Sequence, residues 1–117
     1  MAKSDRLGEF EQLALLAVMR LGDGANGATI QRELEGTVGR EASISAIYIT
    51  LTRLESKGLV SSWMGRPEEV RGGKARRFFR VEPSGLSALN HARSQLLLMW
   101  DGLERELERA AGTTGAQ

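Results

Sequence analysis

Residues 43–81 read SISAIYITLTRLESKGLVSSWMGRPEEVRGGKARRFFRV. As far as Val60 the apolar residues recur at helical spacing; a short strand, the basic loop RPEEVRGGKA and a second strand, RRFFRV, follow. Helix, strand, basic loop and strand is the order of a winged helix-turn-helix, whose helix face and hairpin tip straddle adjacent grooves of duplex DNA. The expected fold class is therefore mainly α with a small β-hairpin (α+β), a winged helix-turn-helix carrying a long C-terminal dimerisation helix.

At about 100° per residue, Ile44, Ile47, Leu51 and Leu54 lie on one side of this helix and are expected in the core. Ser45, Ala46, Ile49, Thr52, Arg53 and Ser56 lie on the other, with Tyr48 at the border. Small and hydroxyl side chains with one arginine suit close approach to a groove. Ser45, Ala46, Ile49, Thr52 and Arg53 are the candidates to reach base edges, with Tyr48 offering its hydroxyl to a phosphate. The alternative is that Tyr48 is partly buried packing and the serines merely cap. Ser43 is placed as N-cap, itself on the DNA side, and Gly58 as the C′ glycine that stops the helix before Leu59.

Strands are expected over Leu59 to Met64 and Arg77 to Val81, joined across Pro67 and Gly72-Gly73. From Arg66 to Arg80 there are six basic residues against two acidic ones, Glu68 and Glu69. Arg71, Lys74, Arg76 and Arg77 around Gly72 and Gly73 suit phosphate contact or entry into a minor groove, because glycine admits close backbone approach and the cations supply charge. The rival reading is a solvated loop whose charges only maintain solubility. Trp63, on the first strand, reads as core or as filler of a strand edge.

Upstream, a first helix from about Gly8 to Leu21 carries Phe10, Leu13, Ala17 and Leu21 on one stripe, widened by Leu15, Leu16 and Met19. The arc is broader than a surface helix needs, so this helix is either central to the core or covered from outside. A turn follows over Leu21 to Gly27, then a short second helix with Ile30 and Leu34, ending near Gly36.

Downstream, Pro83-Ser84-Gly85 opens a last helix expected to run to about Ala110. Leu89, Leu96, Leu103 and Ala110 recur every seven residues, as do Leu86, Arg93, Trp100 and Leu107. A helix of this length cannot bury its stripe against itself, so Leu89, Leu96, Trp100, Leu103 and Leu107 are the expected dimerisation residues. Trp100 has a second reading: a planar side chain near a two-fold axis can stack on a flat ligand. The division expected is residues 1–82 as winged helix, 83–111 as dimerisation helix and 112–117 as disordered tail.

Cysteine is absent and His91 is the only histidine, which excludes thiol redox sensing and argues against a zinc site of the usual nitrogen and sulfur ligands; no metal site and no cofactor are expected. No carboxylate pair or phosphate-binding loop supports an enzyme. No segment is apolar enough to span a membrane and no signal pattern opens the chain, so a cytoplasmic protein is expected. The net charge of +1 is too small to argue for nucleic acid by itself; the distribution carries that argument. It also leaves room for a rival, a winged-helix interaction module that does not touch DNA.

Over residues 7–107 the chain resembles PadR-family transcriptional regulators. The resemblance rests on LGEFEQLALLAVMRLG in the first helix, on Tyr48, Leu51, Leu54 and Glu55 followed by Lys57-Gly58-Leu59-Val60, on the wing RGGKARRFFRV, and on Pro83-Ser84-Gly85. It implies a homodimeric repressor that binds a pseudo-palindromic operator in double-stranded DNA and is released by a small-molecule effector. It is similar to the short-tailed type, in which one C-terminal helix dimerises against the partner's first and last helices; that implies a dimerisation role for Phe10 and Leu13 and would account for the broad apolar arc of the first helix. Family members with a tryptophan in that helix can hold planar aromatic compounds at the dimer centre, which bears on Trp100. The chain departs from the common pattern at Asn26, before Gly27, and at Ile49, where proline is frequent after the tyrosine.

Overall fold

The computed structural model describes residues 6–66 and 75–115. Chain order is α1 (Glu9–Leu21), a 3-10 turn (Gly22–Gly24), α2 (Gly27–Val38), α3 (Ile44–Ser56), β1 (Val60–Met64), β2 (Arg77–Val81), α4 (Pro83–Trp100) and α5 (Glu104–Gly115).

Local chemistry sets most of these boundaries. The Glu11 carboxylate accepts the Gly8 N–H (2.8 Å) at the start of α1. Asn26 begins α2: its Oδ1 accepts the N–H groups of Ala28 and Thr29, and Thr29 Oγ1 accepts the Asn26 N–H in return. The expected end of α2 near Gly36 is corrected, since the helix continues to Val38 and stops at Gly39, whose N–H and that of Arg40 close on the carbonyls of Glu35 and Leu34. Ser43 Oγ accepts the Ala46 N–H at the start of α3, and Gly58, at φ +80°, turns the chain out of it, both as expected.

The core is built from Leu15 and Val18 of α1, Ile30 and Leu34 of α2, Ile47, Leu51 and Leu54 of α3, with Phe79 of β2 at its floor. β1 and β2 are antiparallel, Val60 opposite Val81 and Met64 opposite Arg77. Phe79 N–H also reaches the Ala25 carbonyl (2.9 Å), so the segment before α2 lies along the hairpin as a short third rung. α4 is seated on this unit by its first turns, where Gly85 and Leu89 are buried.

Further expectations change. On α1 the buried residues are Ala14, Leu15, Ala17 and Val18, whereas Leu16 and Met19 are exposed and Phe10, Leu13 and Leu21 only partly buried. On α3 the buried set is Ile47, Thr50, Leu51 and Leu54, the i, i+3, i+4, i+7 pattern; Ile44, at the first position, overhangs the core and is exposed. Leu89 packs into the domain's own core at 9% exposure and also lines the floor of the groove between α1 and α4.

The last correction concerns the C-terminal helix, which is two helices. α4 ends at Trp100, the chain turns through Asp101 and Gly102, and Glu104 accepts the Gly102 N–H as α5 begins. Gly102 has φ +85°, a conformation glycine adopts without the Cβ clash that other residues meet. The Asp101-Gly102 pair is a turn signal that interrupts the heptad series. Residues 112–115, expected in a disordered tail, continue α5, because once a helix is nucleated each further residue adds a hydrogen bond. The radius of gyration is 17.0 Å, against about 13 Å for a compact chain of roughly 100 residues. The second half of α4 and α5 therefore stand off the domain.

Candidate nucleic-acid interface

The outward side of α3 matches the angular expectation. Ser45, Thr52 and Arg53 are exposed, Ala46 is half-buried, and Ile49 is 60% exposed. Ile49 faces solvent because it lies opposite the buried stripe through Ile47, Thr50 and Leu51. Ser43 is exposed, but its hydroxyl is engaged in the cap. Tyr48 is half-buried: its ring tilts against Phe79 (5.8 Å between centroids) and lies over Gly27, where a Cβ would stand 3.0 Å from the ring. The packing alternative for Tyr48 is thus the one its surroundings match.

The two cations near the end of α3, Arg53 and Lys57, share one acid. Glu11 of α1, accepting the Gly8 N–H, lies 3.6 Å from Lys57 Nζ and 3.9 Å from the Arg53 guanidinium. Arg53 stays more than half exposed and remains available to a groove.

On the wing, Arg71, Gly72, Gly73 and Lys74 lie outside the described residues. Arg66 and Arg76 are exposed at the hairpin base, where Gly65 N–H bonds the Arg76 carbonyl (2.7 Å). Arg77 is placed differently. Alternation along β2 puts it on the same face as buried Phe79, so its guanidinium turns toward α3. There Nη2 donates to Glu55 Oε1 (2.7 Å) and Nε to Ser62 Oγ (3.0 Å), while Ser62 donates to the same carboxylate. Glu55 and Ser62 were not singled out as site residues; the signal that could have found them is the shared strand parity of Arg77 and Phe79. On the opposite sheet face Trp63 stacks on Phe78 (5.9 Å, 20°) and Arg80 lies 5.1 Å over Trp63. Trp63 is thus a half-buried strand filler rather than core.

Two apolar grooves flank α1, away from this face. One, of about 440 Å³ between α1 and α4, is lined by Leu16, Met19, Leu86, Leu96 and Leu97 among others. The other, of about 410 Å³ between α1 and α2, is edged by Arg20, Glu33 and Thr37. The Thr37 hydroxyl (2.6 Å) and Arg20 Nε (2.7 Å) both donate to Glu33, and together they hold its carboxyl below its ordinary pKa of 4.5. Among the described residues no helix is long and apolar enough to cross a membrane, and no group of His, Asp and Glu has metal-ligand geometry.

The family model described as the transcriptional regulator PadR-like family matches residues 15–91, which includes α2, α3, the whole wing and the seat of α4. The chain belongs to the PadR-like family. A PadR family regulator from Eggerthella lenta DSM 2243 superposes with a TM-score of 0.63 at 28% identity, over 82% of this chain and 81% of that one. A PadR family regulator from Clostridium difficile R20291 shares the fold at 17% identity (TM-score 0.59, 90% of this chain and 97% of that one). So does Bacillus subtilis PadR in complex with operator DNA, at 23% identity (TM-score 0.55, 68% of this chain and 44% of that one). Among curated proteins none matches the sequence closely enough to count as a relative. The family and these neighbours are transcriptional regulators, not enzymes, and the PadR-like chain has their winged-helix fold.

Proposed function

We propose that this PadR-like chain is a homodimeric repressor of a nearby operon, cytoplasmic, binding a pseudo-palindromic operator through α3 and the wing. The observation that carries the reading is the solvent-facing side of α3, with Ser45, Ile49, Thr52 and Arg53 open beside a basic hairpin. In a dimer the two α3 helices enter successive major grooves about 34 Å apart. Ser45, Ala46, Ile49, Thr52 and Arg53 meet base edges, and Arg71, Lys74 and Arg76 around Gly72 and Gly73 grip flanking phosphates. Leu96, Leu97 and Trp100 close the dimer across the α1–α4 groove, aided by Phe10, Leu13, Leu103 and Leu107. A planar aromatic effector stacked on Trp100 releases the operator.

The test is titration of the purified protein with the promoter fragment of its own operon at several salt concentrations. Saturable binding that weakens steeply with salt supports the reading. A second reading, a winged-helix interaction module, is favoured by the net charge of +1 and by the exposed isoleucine at the centre of α3. Such a module shifts no genomic fragment in electrophoresis at moderate salt.

A further inference from the structure

We propose that Arg77 is a positioning residue rather than a phosphate contact: by clamping β2 to α3 through Glu55 and Ser62, it sets the angle between the recognition helix and the wing. The inference rests on the DNA-binding reading above and names how that surface is held in shape.

The clamp joins the three elements whose relative placement matters. Glu55 stands on α3 one turn beyond Thr52 and Leu51, Ser62 is the middle residue of β1, and Arg77 opens β2. One guanidinium edge is committed at 2.7 Å to Glu55 and 3.0 Å to Ser62, and the plane lies 5.5 Å over the Phe79 ring. Ser62 completes the triangle by donating to both Glu55 oxygens (3.0 and 3.1 Å). A planar fork bonded to two groups on different elements fixes orientation as well as distance, which a single point charge does not. With side chains 39% and 32% exposed, the pair is partly shielded from solvent and ions.

Two physical reasons make the clamp consequential. A two-stranded hairpin is marginal by itself, so the placement of its basic tip depends on what ties its base to the helix. In addition, Glu55 is a carboxylate near the end of the helix that approaches DNA. Moving Arg77 to a phosphate would leave that carboxylate unpaired and facing a polyanion.

Binding of the full chain to its promoter duplex, measured across salt concentrations for Glu55→Gln, Arg77→Gln, the double variant and Arg77→Lys, tests this. Far-UV circular dichroism monitors folding. Either glutamine variant is expected to weaken binding by roughly three- to thirtyfold, the double variant no more than the weaker single, as coupled neighbours behave. The salt slope stays that of the unsubstituted chain, and lysine does not rescue, because an ammonium cannot hold both partners. The proposal is overturned if Arg77→Gln lowers the slope by about one phosphate contact while Glu55→Gln binds normally. It is equally overturned if Arg77→Lys restores full affinity, or if all variants bind as tightly as the parent. Glu55→Gln, close to isosteric and outside the hairpin, decides the matter alone should Arg77→Gln fail to fold. Failure of the unsubstituted chain to bind any duplex removes the DNA reading and the clamp with it. That outcome is distinct from a parent that binds and variants that match it.

Discussion

Gly85 shows how much a single position can demand. It lies in the first turn of α4, where an added Cβ would collide with the Leu59 carbonyl oxygen and stand 2.7 Å from Val81 Cγ1. That carbonyl already accepts the Glu82 N–H, so it is backbone that cannot step aside. Gly85→Ala is expected to destabilise the domain by about 1–3 kcal/mol, the usual range for overpacking, read as a lower urea midpoint. Glu33 makes a pH-dependent contribution. Its folded pKa lies below the ordinary 4.5, chiefly through the Thr37 hydroxyl and then Arg20. The stabilisation is therefore complete above that ordinary value and lost as pH falls through the folded one. Thr37→Val should lower stability at neutral pH, and the gap from the parent should narrow as the solution is acidified below 4.5. A gap that holds or widens in acid would show that the hydroxyl acts through packing alone.

Among the elements, the wing carries the sharpest expectation. Arg76 stands at the hairpin base, outside the strand alternation that turns Arg77 inward, and Lys74 lies outside the described residues. If both meet phosphates, Lys74→Ala with Arg76→Ala should flatten the salt dependence of duplex binding by about two contacts, at roughly 0.9 in slope for each. Glu55→Gln should leave that slope alone. The hairpin variant and the α3 variant thus separate charge supplied to DNA from geometry supplied to the helix. α2 depends on its cap in a similar way: Asn26 is buried, and Asn26→Ala strands two N–H groups. A loss of about 1–2 kcal/mol is expected, detectable as a lower thermal midpoint.

At the scale of the whole molecule, the proposed dimer has an apolar row to cover. Leu96, Leu97, Leu98 and Met99 are between 51% and 76% exposed on the half of α4 that leaves the domain, and Leu96 and Leu97 line the groove that Leu16 and Met19 face from α1. Burial of a leucine side chain is worth about 1.5–3 kcal/mol, so a second copy covering this row gains more than one exposed residue could supply. Leu96→Asp with Leu97→Asp should shift sedimentation from dimer to monomer at micromolar concentration and abolish operator binding, because one α3 alone forfeits half the contacts. A parent that already sediments as a monomer would refute the assembly. Quenching of Trp100 emission by planar aromatic compounds, lost in Trp100→Phe, would mark the effector site.

What the linear chain determined is whatever depends on neighbours a few residues apart. Ser43 as cap, Gly58 as stop, the stripe through Ile47, Leu51 and Leu54, the two strands and Pro83 at the head of α4 are local matters of hydrogen bonding, φ and periodicity, and they placed the outward face of α3 as well. The motif of Tyr48, Leu51, Leu54 and Glu55 pointed to the PadR-like family for the same reason. What only tertiary structure decided is which of two apolar sides of α1 the core takes, that Leu89 packs into its own domain, and that Arg77 turns to Glu55 across twenty-two residues of chain. Each of these is settled by which surfaces meet in space. Spacing along one strand or helix says which residues share a face, and only the packed neighbour says what that face is for.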